Sequence, residues 1–363
     1  MYHRLGDYIR EVNVRNRELK VANLLGLSVS KEFMPSIANT IGTDMSAYKI
    51  VERDQFVYIA DTSRRGDKIA IALLSDYNNA IVSQAYTVFE ITDHNALLPE
   101  YLMMWFRRPE FDRYARFHSH GSAREVFDWD ELCDVMLSIP SIARQREIVA
   151  EYETLSNRIR LNEQMIGKLE ATAQALYRKM FVDGVDVEHL PEGWRKGTLK
   201  EVATLKAGGD RPNEFSEKKT EVYNIPVYAN GIENKGIFGY TTKPIIKVKS
   251  FTISARGTIG YCFLRKQPYV PIVRLIVVIP HDEIATQYLY HYLDASNIKG
   301  SGSVQSQITV PDMEVKEIIV PPHRLVQEFN DKAEVIDEAM EIREKENSKL
   351  TELQSLLLAR MGK

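Results

Sequence analysis

Cysteine is nearly absent: Cys133 and Cys262 are the only two in 363 residues. They lie far apart and match no metal-ligand spacing, so neither a disulfide framework nor a zinc ribbon is on offer. Each is expected to be a buried free thiol in a reducing cytosol. Long apolar runs are missing too. Stretches such as 275–279 are far too short to cross a bilayer, and the opening Met1-Tyr2-His3-Arg4-Leu5-Gly6-Asp7 holds no apolar signal core. A cytoplasmic protein without a membrane partner is expected. Nor is there an excess of charge: 47 Lys+Arg stand against 50 Asp+Glu, a net of −3, which taken whole argues against a nucleic-acid binder. No Asn-Pro-Pro-aromatic or Asp-Pro-Pro-aromatic tetrad is present to position an exocyclic amine, and no Gly-x-x-x-x-Gly-Lys-Ser/Thr loop to hold a nucleotide. Catalysis by this chain alone is not expected. With 44% hydrophobic and 27% charged residues, collagen-like, mucin-like and disordered readings are also excluded, and the length suits two domains.

What the sequence does contain is a repeat. Shifted by 181 positions, residues 122–180 lie on 303–361 without a gap, with identities at Ser122/Ser303, Pro140/Pro321, Glu147/Glu328, Glu153/Glu334, Glu163/Glu344, Lys168/Lys349, Leu169/Leu350, Leu176/Leu357 and Met180/Met361. In both copies a Gly-Ser loop leads through a short apolar strand to a proline, and a long heptad segment follows. Upstream, Tyr101-Leu102 corresponds to Tyr288-Leu289, and the Arg65-Gly66 turn to Arg256-Gly257, each at a different offset.

The first heptad seam runs through Ile148, Tyr152, Leu155, Ile159, Asn162, Ile166, Leu169, Ala173, Leu176 and Met180, the 3.5-residue spacing that keeps one apolar stripe against a partner helix. Its copy is Phe329, Ala333, Ile336, Met340, Arg343, Asn347, Leu350, Gln354, Leu357 and Met361. We read the polar Arg343 and Asn347 as partly exposed. The sharper alternative is that Asn162 meets them across the pair and fixes its register. Gly and Pro punctuation after the first seam, through Leu190-Pro191-Glu192-Gly193-Trp194, marks a linker.

The globular segments mix strands and short helices. Strands are expected at 56–59, 69–72, 86–91, 250–253 and 272–279, helices at 98–106 and 284–293. The plan is domain, long helix, domain, long helix, an α/β chain with boundaries at 1–145, 146–183, 184–322 and 323–363.

This order, with the Gly-Ser loops, Ile139-Pro140 and Val320-Pro321-Pro322 before the helices, and the Leu-rich ends at 176–180 and 356–361, resembles the specificity subunit of type I restriction-modification systems. Family members often carry Glu-Gln after the prolines, where Arg146-Glu147 and Gln327-Glu328 stand here. The resemblance implies two target-recognition domains separated by two long antiparallel coiled-coil helices in a pseudo-twofold repeat. Each domain would read one half of a split site on double-stranded DNA, and the helices would dock two modification subunits. It also implies restriction subunits in the full complex, with S-adenosylmethionine, ATP and Mg on partner subunits and no cofactor or metal in this chain. The alternative is a coiled-coil scaffold that binds protein and has no DNA specificity.

Charge counted by segment bears on the choice. Residues 193–321 hold 17 Lys+Arg against 12 Asp+Glu, whereas residues 1–139 hold 16 against 20. The second domain is therefore basic, as a phosphate-tracking surface requires. Base reading uses Arg for guanine, Asn or Gln for adenine, and small hydroxyls. The Gly-rich loop with Ser301, Ser303, Gln305 and Gln307 is the leading groove-reading candidate, and its repeat mate carries His118, His120, Ser122 and Arg124. Second choices are Asn230, Asn234 and Lys235, then Arg256, then Ser63, Arg64, Arg65 and Lys68. The competing reading of each is a solvated turn. His118 and His120 lack a third metal ligand, the 288–292 Tyr-rich string fits a core, 128–131 fits the cap of a helix starting near Asp130, and Gly208-Gly209-Asp210 is a turn signal.

Overall fold

The computed structural model describes residues 2–36, 42–62, 66, 68–121, 125–281, 285–296, 298 and 307–362. It falls into two compact units, Met1–Asn162 with Glu344–Lys363, and Glu163–Arg343. Asn162 and Arg343, the residues at which the chain changes unit, are themselves 181 positions apart.

In the first unit a four-stranded antiparallel sheet has the spatial order Ile9–Val12, Thr87–Ile91, Phe56–Ile59, Ala70–Leu73. Alternation along the strands sends side chains to two different cores. Phe56, Tyr58, Ile71 and Phe89 pack on one face against the helix Pro99–Phe106. Val57, Ile59, Ala70, Ala72 and Val88 pack on the other against Leu25, Leu27, Ala80 and Val82. With both faces covered, all of Phe56–Ile59 is buried, which is why it reads as an unbroken apolar run. Phe56 and Phe89 are cross-strand partners whose rings stack 4.9 Å apart.

The second unit repeats this sheet in the order Ala203–Ala207, Ile276–Pro280, Ser250–Ile253, Cys262–Arg265. A separate three-stranded sheet joins Ile237–Thr241, Ile225–Tyr228 and Val270–Pro271. Of the strand expected over 272–279, only the part from Ile276 onward is strand. Val273 and Arg274, just before it, adopt φ of 53° and 60°, a left-handed conformation that breaks any ladder.

The repeat is written in hydrogen bonds as well as in topology. Leu5 N donates to Val135 O at 2.8 Å and Leu199 N to Lys316 O at 3.0 Å. Phe127 N donates to Ala60 O and Ile308 N to Ala255 O. The Tyr101 hydroxyl donates to Ser138 O, the Tyr288 hydroxyl to Ile319 O. In every pair the partner drawn from 127–138 recurs 181 residues on, within 308–319. The equivalence of Ala60 and Ala255 makes Asp61, rather than Arg65, the counterpart of Arg256. Asp128 caps Trp129–Cys133, one residue earlier than the expected start, and its mate Thr309 caps Val310–Glu314.

The long helices are Ile142–Phe181 and His323–Arg360, again starting on repeat mates. None of the twenty seam residues is exposed. Tyr152 and Leu358 join the first unit's core, while Tyr177, Phe181 and Phe329 join the second unit's. The Tyr-rich string is core here: Tyr288 and Leu289 are buried, and His291 lies in a ring cluster with Tyr177 and Phe329.

Candidate nucleic-acid interface

In the second unit, two sequence-singled residues, Arg256 and Gln307, line one cleft of about 320 Å³ together with Arg274. All three are exposed. Among the described residues no carboxylate lines the cleft, and neither guanidinium has an ion-pair or hydrogen-bond partner. Ile276, Ile308 and Val310 add apolar lining.

The backbone that presents these groups is held from several directions. Val273 N donates to Gly209 O at 2.9 Å and Arg274 N to Gly208 O at 3.2 Å. Gly208 must be glycine for this: a Cβ there would lie 2.8 Å from Ile272 N and from the Pro271 carbonyl carbon. Gly208-Gly209 is therefore more than a turn, since it permits the close approach that seats the left-handed Val273-Arg274 pair.

Asn230 differs from its expected role. Its Nδ2 donates to Val273 O at 2.7 Å and its Oδ1 accepts from Ala255 N at 2.7 Å. An amide committed at both ends has little left to read a base, so Asn230 is a fastener between the Arg256 and Arg274 loops. Asn234 and Lys235 are exposed at φ of 49° and 54°. The Lys235 carbonyl accepts from Arg265, which is buried, stacks 3.5 Å from the Tyr228 ring centroid and fixes the loop from below. Ser301, Ser303 and Gln305 lie outside the described residues.

The first unit arranges its candidates differently. His118 Nδ1 and His120 Nε2 lie 2.9 and 3.3 Å from the two oxygens of Glu131, and His118 stacks on Tyr114. One carboxylate gathers both imidazoles. No group of three or more metal-ligating side chains occurs among the described residues. Arg116 pairs with Glu125, and Thr62 bonds Ser119 at 2.9 Å, so the backbone leading away from these histidines is fastened too. Lys68 is exposed. Ser63, Arg64, Arg65, Ser122 and Arg124 lie outside the described residues.

Along the helices, Ile148, Tyr152, Leu155, Ile159, Leu350 and Leu357 are buried or half-buried in the first unit, and Ile166, Leu169, Leu176, Ile336 and Met340 in the second. Arg343 and Asn347 are partly exposed, as read. Asn162 is only 3% exposed, and its Nδ2 donates to Asn347 Oδ1 at 2.8 Å and to Glu346 Oε2 at 2.9 Å. Arg158 holds the same Glu346 at 2.8 Å. The sharper alternative therefore applies to Asn162 and Asn347: an unsatisfied buried amide costs more than a solvated one, so the two meet.

Arg274 is the residue that sequence reasoning passed over. Its signal was the Gly208-Gly209 pair, which marks a place where another strand comes close, but nothing in the sequence told which strand.

Residues 191–352 match the type I restriction modification DNA specificity domain. Residues 191–352 therefore carry a type I specificity domain. Over 139 residues it is 34% identical to a Mycoplasma pneumoniae protein named as a type I specificity subunit, covering 38% of each chain. A second such protein of that organism is 35% identical over 150 residues, 38% of this chain and 45% of that one. These two matches thus span less than half of either relative. The specificity subunit of the type I restriction enzyme HindI of Haemophilus influenzae is 22% identical, with 98% of this chain and 97% of that protein aligned. Among solved structures, the S subunit of a type I restriction-modification system from M. genitalium shares the fold at a TM-score of 0.63 and 14% identity, covering 100% of this chain and 96% of that one.

Proposed function

We propose that this chain is the sequence-specific DNA-recognition subunit of a type I restriction-modification complex, reading a two-part site and performing no chemistry itself. The observation that carries the reading is the duplication: two units share a sheet order and hydrogen bonds that recur at 181 residues. A chain with two related modules suits a site with two halves. In this reading residues 1–145 and 184–322 are target-recognition domains, and 146–183 and 323–363 form a pseudo-twofold antiparallel coiled coil. The cleft arginines of the second unit, without an acidic partner among the described residues, supply the cationic surface that DNA requires.

Two modification subunits would dock on the helices. Val335, Ile342 and Leu356 are more than half exposed, lie off the seam at multiples of seven residues, and offer apolar surface to a partner helix. S-adenosylmethionine, ATP and Mg would be held by partner chains, with restriction subunits completing the complex in the cytoplasm. No described helix is long and apolar enough to cross a membrane. DNA binding measured with the modification partner present tests the reading against a protein-only scaffold. Affinity should fall steeply with salt; binding that is absent or indifferent to salt would favour the scaffold.

A further inference from the structure

The cleft of the second unit permits a finer assignment, resting on the DNA-recognition reading above. We propose that Arg256 and Arg274 form a clamp for a backbone phosphate of the half-site bound by this unit, and that Asn230 is the residue that positions both.

Shape argues first. A side chain that reads base edges has to protrude into a groove, whereas Arg256 and Arg274 line a concavity. A phosphate is the part of a duplex that projects outward and can enter one. Charge argues next. Two guanidinium groups with no carboxylate among the described lining residues leave an uncompensated positive site, and the apolar Ile276, Ile308 and Val310 beside them lower the local dielectric and strengthen attraction for an anion. Arginine suits that task because its planar fork matches phosphate oxygens.

Backbone geometry argues third. A β-branched residue at positive φ is uncommon, and Val273 and Arg274 occupy that region in succession. Such conformations persist where surrounding structure over-determines them, often at ligand clamps. Here the fasteners are the Gly208 and Gly209 carbonyls and the Asn230 amide. The same Asn230 holds Ala255, whose carbonyl also accepts from Ile308 N. One side chain thereby sets the separation of the two arginine loops and ties them to the segment carrying Gln307.

The assignment divides labour: the clamp grips any sequence and fixes register, leaving discrimination to other groups. It is tested with the full chain and its modification partner, by fluorescence anisotropy over a range of KCl concentrations. One duplex carries the mapped site and another lacks it. Arg256→Ala and Arg274→Ala should each reduce the slope of log K against log salt by about 0.9 on both duplexes, with the mapped site unchanged. Arg274→Lys should restore most of the slope, since a phosphate accepts a point charge. Asn230→Ala should reduce the slope at least as much as either arginine variant. Added to the double arginine variant, it should do nothing more. Arg256 and Arg274 are exposed, so their variants carry the test even if Asn230→Ala does not fold. A changed base preference in one half-site, or an unaltered slope in both arginine variants, would overturn the clamp. Failure of the unmodified complex to bind either duplex would instead overturn the DNA reading, and the clamp with it.

Discussion

Replacing Asn162 by leucine should destabilise the chain, although it puts an apolar residue into an otherwise apolar seam. Asn162 is buried and spends its amide on Asn347 Oδ1 and Glu346 Oε2. Asn162→Leu removes both bonds. Glu346 keeps two bonds from Arg158 and loses little, whereas Asn347 is left half-buried with an unpaired Oδ1. An orphaned buried polar group costs about 1–3 kcal/mol, and the added leucine returns part of that through apolar burial. A net loss of ~1–2 kcal/mol follows for the single variant. In Asn162→Leu/Asn347→Leu both partners are apolar, the orphan is gone, and stability should return to within about 0.5 kcal/mol of the parent or exceed it. Equilibrium urea unfolding of the parent, both single variants and the double closes the cycle, and the coupling should be about 1–2 kcal/mol. Hydrogen exchange along 142–181 reads the other half of the argument, because loss of the polar pair should loosen register while stability is retained. A single leucine variant as stable as the parent, with no coupling in the cycle, would refute the reasoning.

Two further predictions concern buried charge. Lys31 is 5% exposed, and its Nζ bonds Asp112 at 2.7 Å and Phe106 O at 2.6 Å, while burial pulls its pKa down against the pull of Asp112. Asp112→Asn should cost ~3–5 kcal/mol in a urea melt, and Lys31→Met in the same background should recover most of it; equal stability of Asp112→Asn and the parent would contradict the pairing. His291, among Tyr177, Phe329 and Tyr290, has its pKa pushed down by burial from 6.5 to about 4. Since the unfolded chain binds the extra proton first, stability should be intact above pH 6.5 and fall as pH drops towards 4, by roughly 3 kcal/mol in all. His291→Gln should flatten that part of a stability-against-pH curve, and an unchanged curve would assign the acid lability elsewhere.

Periodicity made the long helices legible: a 3.5-residue stripe has only one way to bury itself, and all twenty stripe positions are buried or half-buried. The strand at Phe56–Ile59 and the capped turn at Asp128 were legible for similarly local reasons. What escaped was set by distant neighbours. The expected strand over 272–279 broke at Val273-Arg274 because Gly208, some sixty-five residues earlier, admits a close backbone approach. Asn230 looked like a base reader because an amide in a polar loop has the right donors and acceptors. Its two partners, Val273 O and Ala255 N, come from separate loops that only the fold unites. His118 and His120 likewise turned to Glu131, supplied by a helix beyond the Gly-Ser loop.

The central claim is that one duplicated chain reads two separated half-sites. Single-molecule sequencing of modified genomic DNA, from a host carrying this chain with its modification partner, tests it most directly. The account predicts a site of two short specified parts divided by a spacer of fixed length and unspecified sequence. Modification at one continuous motif, or at none, would contradict it.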